Sequence, residues 1–346
     1  MITGRFCIAE GAALRCTLCP RRCRLLPGKT GLCRVRRGPA EAAPVSEASR
    51  ALPPEPELPY YGFITALAND PIEKKPLYHW RPGSFIVSAG FAGCNLHCPF
   101  CQNWHISQLG REIPGRRLSP EDLVAVVEAE ASSALAYTYS EPLVHGEFIV
   151  NTMQIARNRG IANVLVTNGC ANPGLAREIL AFTDAANIDL KCFSEKTYAE
   201  ILGGDLRTVL NFISTAVEMG IHTEITTLVV PGLNDRGEEL DALADFIADL
   251  AGPIPWHLSA YHPDWKWDTP PTDPAALTGI ARRAQDRRGE LRYIYIGNTA
   301  APPEFRDTVC PACGAVLVRR SGYRIDTRGL AESRCRVCKE PAPFQD

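Results

Sequence analysis

The sequence has no apolar stretch long enough to cross a membrane. Its longest apolar runs, Ile161–Val166 and Ile225–Val230, fall far short of the roughly 20 residues that span a bilayer. The amino terminus also lacks the apolar region of a secretion signal. We therefore expect a cytoplasmic protein without membrane contact.

The sequence also lacks a charge excess of either sign and any internal repeat. The formal net charge is −2 over 346 residues, of which 45% are hydrophobic and 22% charged. These values are typical of a folded globular protein, and they exclude a disordered chain or a protein that coats nucleic acid through its overall charge. At about 150 residues per domain, the length predicts one large domain with one or two small attachments.

Cysteine, in contrast, is abundant. Fourteen cysteines are too many for an ordinary cytosolic enzyme and too unevenly spaced for a disulfide scaffold, so we interpret most of them as metal ligands. Eleven of them form three groups: Cys16, Cys19, Cys23 and Cys33; Cys94, Cys98 and Cys101; and Cys310, Cys313, Cys335 and Cys338. The others are predicted to be buried thiols: Cys7, Cys170 and Cys192.

The positions of these groups predict three parts of the chain. Residues 1–59 form a four-cysteine module with a proline-rich linker, residues 60–305 form the core, and residues 306–346 form a carboxyl-terminal module. The linker, Gly38–Pro59, has little apolar content to repay the entropy of ordering it. A long irregular loop packed on the body is the alternative interpretation.

From residue 60 to about 303, short β-branched or aromatic runs alternate with amphipathic helical stretches. Ser119 and Pro120 begin one such helix, and Asn234–Asp235 precede another. The alternation predicts an α/β fold with a partial or full (β/α) TIM-like barrel, whose chemistry lies at the carboxyl ends of the strands. A doubly wound open sheet is the alternative. The predicted strands are Ser84–Gly90, Ala134–Tyr139, Asn163–Thr167, Ala186–Leu190, Thr223–Val230, Trp256–Tyr261 and Tyr293–Ile296.

The central cysteine group occupies a short loop directly after the first strong predicted strand. Its spacing, C-x3-C-x2-C, supplies three thiolates and leaves one iron of a [4Fe–4S] cluster open to a cofactor or substrate. A zinc ion completed by His97 or His105 is the alternative. The strand before the loop and the barrel units after it favour the cluster.

Polar residues or glycines recur at the ends of the later predicted strands, where a barrel places its chemistry. Because they recur on one rim, we predict that they bind the cofactor. They are Tyr139, Glu141, Asn168, Asp189, Lys191, Gly232 and His262.

These residues carry a resemblance to known enzymes. The spacing of the central cysteines is that of radical S-adenosylmethionine (SAM) enzymes, and the barrel resembles the pyruvate formate-lyase activating enzyme group. Residues 16–37 and 60–340 are similar to the radical SAM enzymes of the AmmeMemoRadiSam system. The closer match is carried by Cys16–Cys23, Asp70–Leu77, Gly93–Gln108 and the carboxyl-terminal cysteine pairs.

The resemblance implies an activating-enzyme-like oxidoreductase. Its [4Fe–4S] cluster would cleave SAM to a 5′-deoxyadenosyl radical that abstracts hydrogen from an unknown substrate. Ser140 stands where this group usually has Asn, which leaves the contact of that residue open. The resemblance assigns Phe100 to the adenine, Glu141 to the SAM amino group, Asp189 and Lys191 to the carboxylate and ribose, and Val230, Gly232 and His262 to the nucleoside.

The same resemblance implies partners. It implies an electron donor such as flavodoxin or ferredoxin, and association with Memo-type and AMMECR-type proteins. The target is either a protein that receives a glycyl radical, or a small molecule, peptide or RNA. The additional cysteine groups favour the second, because hydrogen abstraction needs only one cluster. A non-enzymatic zinc protein that contacts nucleic acid or a partner protein is the alternative class.

Each flanking group offers four thiolates, which complete a coordination shell. The amino-terminal group takes zinc or an auxiliary cluster, and its neighbouring arginines offset cluster charge or bind an acidic partner such as RNA. Too few aromatic residues lie nearby in sequence to predict a stacking platform. The two C-x2-C pairs at the other end predict a zinc-ribbon or rubredoxin-like module, with zinc favoured over iron, because so small a core needs a metal.

Two further predictions concern residues outside these groups. Glu73, Lys74 and Lys75 are interpreted mainly as a solvated charged surface, with a lip over the active site as the alternative. His257, near the start of a predicted strand, is a candidate substrate contact.

Overall fold

The computed structural model describes residues 4–40, 55–108 and 113–345. Most of the predicted linker, residues 41–54, lies outside the described residues. The described ends of the linker lie side by side. The Arg37 amide donates to the Glu57 carbonyl at 3.0 Å, and the Glu57 amide donates to the Arg37 carbonyl at 2.8 Å. The chain therefore leaves and rejoins the body at one place, while the three domain boundaries stay a prediction.

The amino-terminal cysteine module contains a small antiparallel sheet. Its strands are β1 (Cys7–Glu10), β2 (Ala13–Cys16) and β3 (Arg24–Leu25). Leu14, Leu18 and Leu25 are buried and belong to the same apolar core as the central sheet. The module is therefore packed on the body of the protein.

Within the described residues, the centre of the fold is a mixed sheet of nine strands. Seven of these strands run parallel, and the first and third in chain order extend one edge in antiparallel pairing. The strands are β4 (Phe63–Pro71), β5 (Phe85–Phe91), β6 (Arg116–Arg117), β7 (Ala134–Thr138), β8 (Ala162–Thr167), β9 (Ala185–Asp189), β10 (His222–Val229), β11 (Trp256–Ala260) and β12 (Ile294–Gly297).

The parallel strands lie side by side in chain order, from β5 through β7 to β12. A doubly wound sheet reverses its order at a switch point, so this order excludes that alternative. In the described residues β6 and β12 are the two edges of the sheet. All carboxyl ends of the parallel strands consequently share one rim.

Eight α-helices occur in the described ranges, most of them between consecutive parallel strands. Their apolar residues recur at helical spacing on the face toward the sheet: Val209, Phe212, Ile213 and Ala216 are all buried on one of them. The helices are α1 (Trp104–Ser107), α2 (Pro120–Ala129), α3 (Gly146–Asn158), α4 (Pro173–Leu180), α5 (Glu195–Thr197), α6 (Leu206–Glu218), α7 (Gly237–Ala248) and α8 (Pro274–Arg287).

The two predicted helix starts differ in whether a side chain caps the helix. Ser119 accepts a hydrogen bond from the Asp122 amide at 3.1 Å and its own amide donates back to Asp122, a capping box that begins α2 with Pro120 in the first turn. Asn234 does not cap α7. Its side chain instead accepts from the Val230 amide at 2.7 Å and donates to the Lys191 carbonyl at 2.5 Å, so it braces two loops on the rim.

The carboxyl-terminal module packs against the sheet at the amino ends of its parallel strands. Arg320 is buried there, donates to the Tyr78 carbonyl at 2.9 Å and to Thr308 Oγ1 at 2.7 Å, and lies 4.1 Å from the Tyr78 ring centre. This contact fixes the module to the core. Its strands are β13 (Thr308–Val309), β14 (Val316–Ser321), β15 (Arg324–Asp326), β16 (Leu330–Ala331) and β17 (Arg334–Cys335).

No helix in the described ranges combines the length and apolar character that a bilayer crossing requires.

Candidate functional site

The central cysteine loop begins where β5 ends. Gly93, with φ of +82°, turns the chain out of the sheet, and its amide donates to the Ile106 carbonyl at 2.8 Å. Cys98 is buried, while Cys94 and Cys101 are partly exposed. The three thiols therefore lie in one loop on the carboxyl rim, where the sequence predicts them.

Hydrogen-bond donors approach these sulfur atoms. The Leu96 amide lies 3.3 Å from Cys94 Sγ, and Asn168 Nδ2 lies 3.7 Å from the same atom. Ser107 Oγ lies 3.3 Å from Cys101 Sγ. Donors of this kind stabilise negative sulfur, as a thiolate–metal centre requires.

Burial acts in the opposite direction on the free thiols. It raises the pKa of Cys94 well above its usual value and that of Cys98 to about 12, although the nearby Lys191 lowers the latter. Thiols of this kind remain protonated until a metal displaces the proton. The donor set thus fits an iron–sulfur cluster, because three soft ligands, donors to sulfur and a neighbouring cation are all present.

A cavity of about 300 Å³ adjoins the loop. All three cysteines line it, and so do six of the nine residues predicted to bind the cofactor. Strands β5, β7, β8 and β9 deliver these side chains to one place because their carboxyl ends share the rim. The six residues are Phe100, Tyr139, Glu141, Asn168, Asp189 and Lys191.

Glu141 is the buried carboxylate of this cavity. It accepts from Thr167 Oγ1 at 2.6 Å, from the Asn168 amide at 2.8 Å and from the Leu143 amide at 3.0 Å. Burial nevertheless raises the pKa of Glu141 to about 7. Its orientation is therefore set by three donors before a ligand arrives, and a cation in the cavity would favour its charged form.

Lys191 and Asp189 form an ion pair at 3.0 Å across the cavity wall. Burial disfavours the Lys191 ammonium, but Asp189 and the Cys98 sulfur outweigh burial and raise the pKa of Lys191. The cavity therefore offers a fixed cation, a carboxylate beside it and a second carboxylate, Glu141. This combination suits a zwitterionic ligand.

The other three predicted residues do not line this cavity. Val230 is buried and donates its amide to Asn234, whereas Gly232 and His262 are exposed. His262 Nε2 lies 2.9 Å from the Asn298 carbonyl oxygen. Contact of these residues with a nucleoside stays a prediction.

The charged run after β4 is not a solvated surface throughout. Lys75 is buried and bonds Asp70 at 2.6 Å, Lys74 bonds the same carboxylate at 2.8 Å, and the Tyr139 hydroxyl donates to it as well. These bonds outweigh burial and hold the pKa of Asp70 below its usual range, while burial lowers that of Lys75 to about 8. Glu73 is also buried and accepts from the Gly83 amide at 2.8 Å. Lys74 lines the cavity beside Tyr139.

His257 lies away from the rim, contrary to the expectation of a substrate contact. It is the second residue of β11 and bonds Glu224 at 2.6 Å near the amino ends of the strands. Alternation along a strand can point a side chain toward one face of the sheet, but it does not decide at which end of the strands the residue lies.

The amino-terminal cysteines surround a small enclosed space. Cys16, Cys19, Cys23 and Cys33 all line it, and the Leu32 amide lies 3.4 Å from Cys23 Sγ. Arg36 is buried beside them and pairs with Glu147 at 2.7 Å. Their sulfur atoms are not all close enough together to bind one ion, and within the described ranges only those of the carboxyl-terminal cysteines are.

The carboxyl-terminal sulfur atoms are closer together. Cys310 and Cys338 are 3.5 Å apart, and Cys313 and Cys335 are 3.7 Å apart. One tetrahedral ion with metal–sulfur bonds of about 2.3 Å sets its ligands about 3.8 Å apart. The group therefore fits a single metal ion.

We expect the carboxyl-terminal group to hold one metal ion that stabilises its module. Replacing Cys310 and Cys338 by serine should remove about one ion per chain and expose this segment to protease, because the small core cannot fold unaided. Metal analysis and limited proteolysis measure both effects. A Cys170→Ala variant, altered at a buried thiol outside the three groups, is the control. Full metal content in the double variant would contradict this assignment.

The chain is similar to several known proteins. Residues 90–247 match the sequence profile of the radical SAM superfamily. Over 332 residues the chain is 37% identical to an uncharacterized protein of Methanocaldococcus jannaschii, a match that covers 94% of each chain. The pyruvate formate-lyase-activating enzyme of Clostridium pasteurianum is 25% identical over 181 residues, which cover 50% of this chain and 73% of that protein.

Among solved structures, Streptococcus suis SuiB bound to S-adenosylmethionine gives a TM-score of 0.48 at 17% identity, covering 62% of this chain and 49% of that one.

Proposed function

Since the chain belongs to the radical SAM superfamily, we propose that it cleaves SAM reductively at a [4Fe–4S] cluster held by Cys94, Cys98 and Cys101. The observation that carries this proposal is the cavity in which the three thiols meet the buried Glu141 and the Lys191–Asp189 pair. The cavity combines soft metal ligands with groups for both charges of an amino acid, as SAM requires.

We propose that each side chain of the cavity binds a different part of SAM. Glu141 accepts a hydrogen bond from the amino group, Lys191 faces the carboxylate, and Asp189 accepts a hydrogen bond from a ribose hydroxyl.

Phe100 lies between Cys98 and Cys101 in the sequence, is buried, and contacts the adenine. Tyr139, whose hydroxyl donates to Asp70, forms part of the cavity wall, and Asn168 bridges Glu141 and Cys94. Val230, Gly232 and His262 reach the nucleoside from the adjoining loops.

If bound at these cysteines, a [4Fe–4S] cluster would supply one electron to SAM, whose carbon–sulfur bond would break to give methionine and a 5′-deoxyadenosyl radical able to take a hydrogen atom from a carbon–hydrogen bond of the substrate. An electron-transfer protein of the flavodoxin or ferredoxin class replaces the electron. The chain's own task is to orient SAM and to exclude water around it.

The more specific assignments of system, partner proteins and barrel are also proposals. We assign the chain to the AmmeMemoRadiSam system, with Memo-type and AMMECR-type proteins as associates, and to a partial barrel within residues 60–305. The chain-order strands support the barrel, and the similarity to activating enzymes supports the wider group. The assignment to the AmmeMemoRadiSam system rests on the sequence resemblance. Whether the target is a glycyl-radical protein or another molecule depends on the substrate site.

For the flanking groups, we propose two kinds of metal. The short sulfur separations at the carboxyl terminus suit one zinc ion, or one iron ion as in rubredoxin. The wider amino-terminal group, arranged around an enclosed space, suits an auxiliary [4Fe–4S] cluster better than one zinc ion.

Replacing Glu141 by glutamine tests the SAM site. We expect SAM binding to weaken by about tenfold or more while cluster iron is retained, because a charge-assisted hydrogen bond contributes about 1.5–3 kcal/mol. Equilibrium binding and iron analysis of anaerobically reconstituted protein measure the two effects. Glu128→Gln, an exposed residue of α2, is the matched control. Unchanged SAM affinity in Glu141→Gln would remove the assigned role of this carboxylate.

A further inference from the structure

A second, larger cleft opens beside the cavity assigned to SAM. Its volume is about 1220 Å³, and Cys94, Leu96 and Gln108 line both spaces. Its walls come from the amino-terminal module, the central cysteine loop and the loop between β11 and α8. The Lys266 amide donates to the Pro99 carbonyl at 2.9 Å, which joins the last two walls. A ligand in this cleft would therefore lie next to the cluster.

The cleft is strongly basic. One carboxylate, Glu200, lies among its lining residues, against six basic side chains. Nearby Glu10 pairs with two of the arginines, at 2.6 Å and 3.7 Å. The basic residues are Arg15, Arg21, Arg22, Arg24, Arg34 and Lys266.

Three of these arginines have no carboxylate partner among the described residues: Arg21, Arg22 and Arg34. A chain with a net charge of only −2 thus concentrates unpaired positive charge at one place. Unpaired arginines around a concave site attract an anionic ligand, and their planar guanidinium groups match phosphate oxygen geometry.

Two buried donors on the cleft walls also lack a partner. The Nε atom of Arg21 and the Nε1 atom of Trp267 are both inaccessible to solvent and form no hydrogen bond within the described part of the chain. Arg21 does contact His97 through another nitrogen, at 2.9 Å. Buried donors are normally satisfied, so these two favour a ligand rich in hydrogen-bond acceptors.

The cleft is aromatic as well as basic. The rings of Trp104 and Trp265 lie parallel within 8°, with centroids 6.5 Å apart, and both residues are partly exposed. Lys266 Nζ lies 4.4 Å from the centre of the Trp265 ring, and Trp267 lines the same wall. Parallel indole faces next to arginines are the combination that binds stacked bases and their phosphates.

We propose that this cleft is the substrate site and that it binds nucleotide units. A base stacks on Trp104 and Trp265, and phosphates bind Arg21, Arg22 and Arg34. This inference rests on the proposed function, because it names the substrate class of the same radical chemistry. An acidic peptide would satisfy the arginines but would leave the indole pair without a use. The volume exceeds that of a typical small-ligand pocket, which favours a short single-stranded RNA over one free nucleotide.

The test measures binding of a fluorescein-labelled single-stranded RNA of mixed sequence to anaerobically reconstituted full-length protein. Trp265→Ala should lower affinity roughly tenfold, and Trp265→Phe should restore much of it, because a base stacks on any aromatic ring. Arg22→Gln and Arg34→Gln should each weaken binding. Each should also make the salt dependence of binding shallower, by about 0.7 in slope for every phosphate that the variant no longer binds. Arg282→Gln, at an exposed arginine on α8, should leave binding unchanged.

Competition with unlabelled RNA and with mononucleotides distinguishes an RNA segment from a free nucleotide as the ligand. Displacement by RNA but not by AMP, CMP, GMP or UMP identifies an RNA segment, whereas displacement by one mononucleotide identifies a free nucleotide. Both results support the proposed site. Equal displacement by polyglutamate, no loss in Trp265→Ala, or no RNA binding would overturn it. SAM cleavage is assayed on the same samples: cleavage without RNA binding refutes only this inference, and RNA binding without cleavage refutes only the proposed function.

Discussion

Replacing Cys98 by alanine is expected to abolish formation of 5′-deoxyadenosine from SAM. Cys98 is buried in the centre of its loop and is one of only three thiols available to the central cluster. Without it, two ligands remain for four irons, so the cluster has no stable shell. Anaerobic reconstitution with SAM and dithionite, followed by mass spectrometry of 5′-deoxyadenosine and iron analysis, measures the loss.

The matched control is Cys192→Ala. Cys192 is also buried and follows Lys191 directly, but it belongs to none of the three cysteine groups. We expect this variant to retain the central iron and to cleave SAM. Normal cleavage by Cys98→Ala would be incompatible with a radical SAM mechanism at this loop.

Replacing Glu224 by alanine is expected to cause the largest loss of stability. This fully buried carboxylate accepts from the Tyr78 amide at 3.0 Å, the His79 amide at 2.7 Å, His222 at 2.9 Å and His257 at 2.6 Å. Although burial acts against its charge, the two histidines hold the pKa of Glu224 well below its usual value. Removing one member of a buried charged network costs about 3–5 kcal/mol, because its partners lose their hydrogen bonds.

Urea unfolding followed by circular dichroism measures this change in free energy. Glu224→Gln should lose less, because an amide oxygen still accepts part of the network. Glu238→Ala, at an exposed position in α7, should change stability by less than about 0.5 kcal/mol. A loss below about 1 kcal/mol in Glu224→Ala would mean that the network does not hold the amino ends of β10 and β11 together.

The two variants probe opposite ends of the same sheet. The carboxyl ends carry the cysteine loop, Glu141 and the Lys191–Asp189 pair, whereas the amino ends carry Glu224 and the buried Arg320 that fixes the carboxyl-terminal module. The proposed SAM site and the buried stabilising network thus lie at opposite ends of the sheet. We expect substitutions at the carboxyl ends to change SAM binding and substitutions at the amino ends to change the free energy of unfolding.

Much of the fold follows from local patterns. Every strand predicted between residues 84 and 296 is present, with its ends shifted by no more than one residue. The runs are short, β-branched and separated by helices, so period and length identify them without tertiary information. The sequence does not predict strand β4, because this strand ends in Asn69-Asp70-Pro71 and only part of it is buried, a composition typical of turns.

The sequence also predicted the three cysteine groups and six residues that the structure brings together around one cavity, with Phe100 among them only through the family resemblance. Spacing along the chain is sufficient there, because a loop of eight residues and the ends of neighbouring parallel strands are close in any such fold. It left open which metal each flanking group holds, since spacing does not measure the distance between sulfur atoms. Those distances are short at the carboxyl terminus and wider at the amino terminus.

Only the tertiary structure decided the rest. Lys75 belongs to a charged sequence run, yet packing buries it against Asp70. The alternation of side chains along its strand predicts that His257 faces the interior, yet His257 lies near the amino ends of the strands, away from the cysteine loop. Trp104 and Trp265 are 161 residues apart in sequence and lie face to face beside arginines of the amino-terminal module. Burial, strand end and long-range proximity depend on how distant segments pack together, and a local pattern contains none of that information.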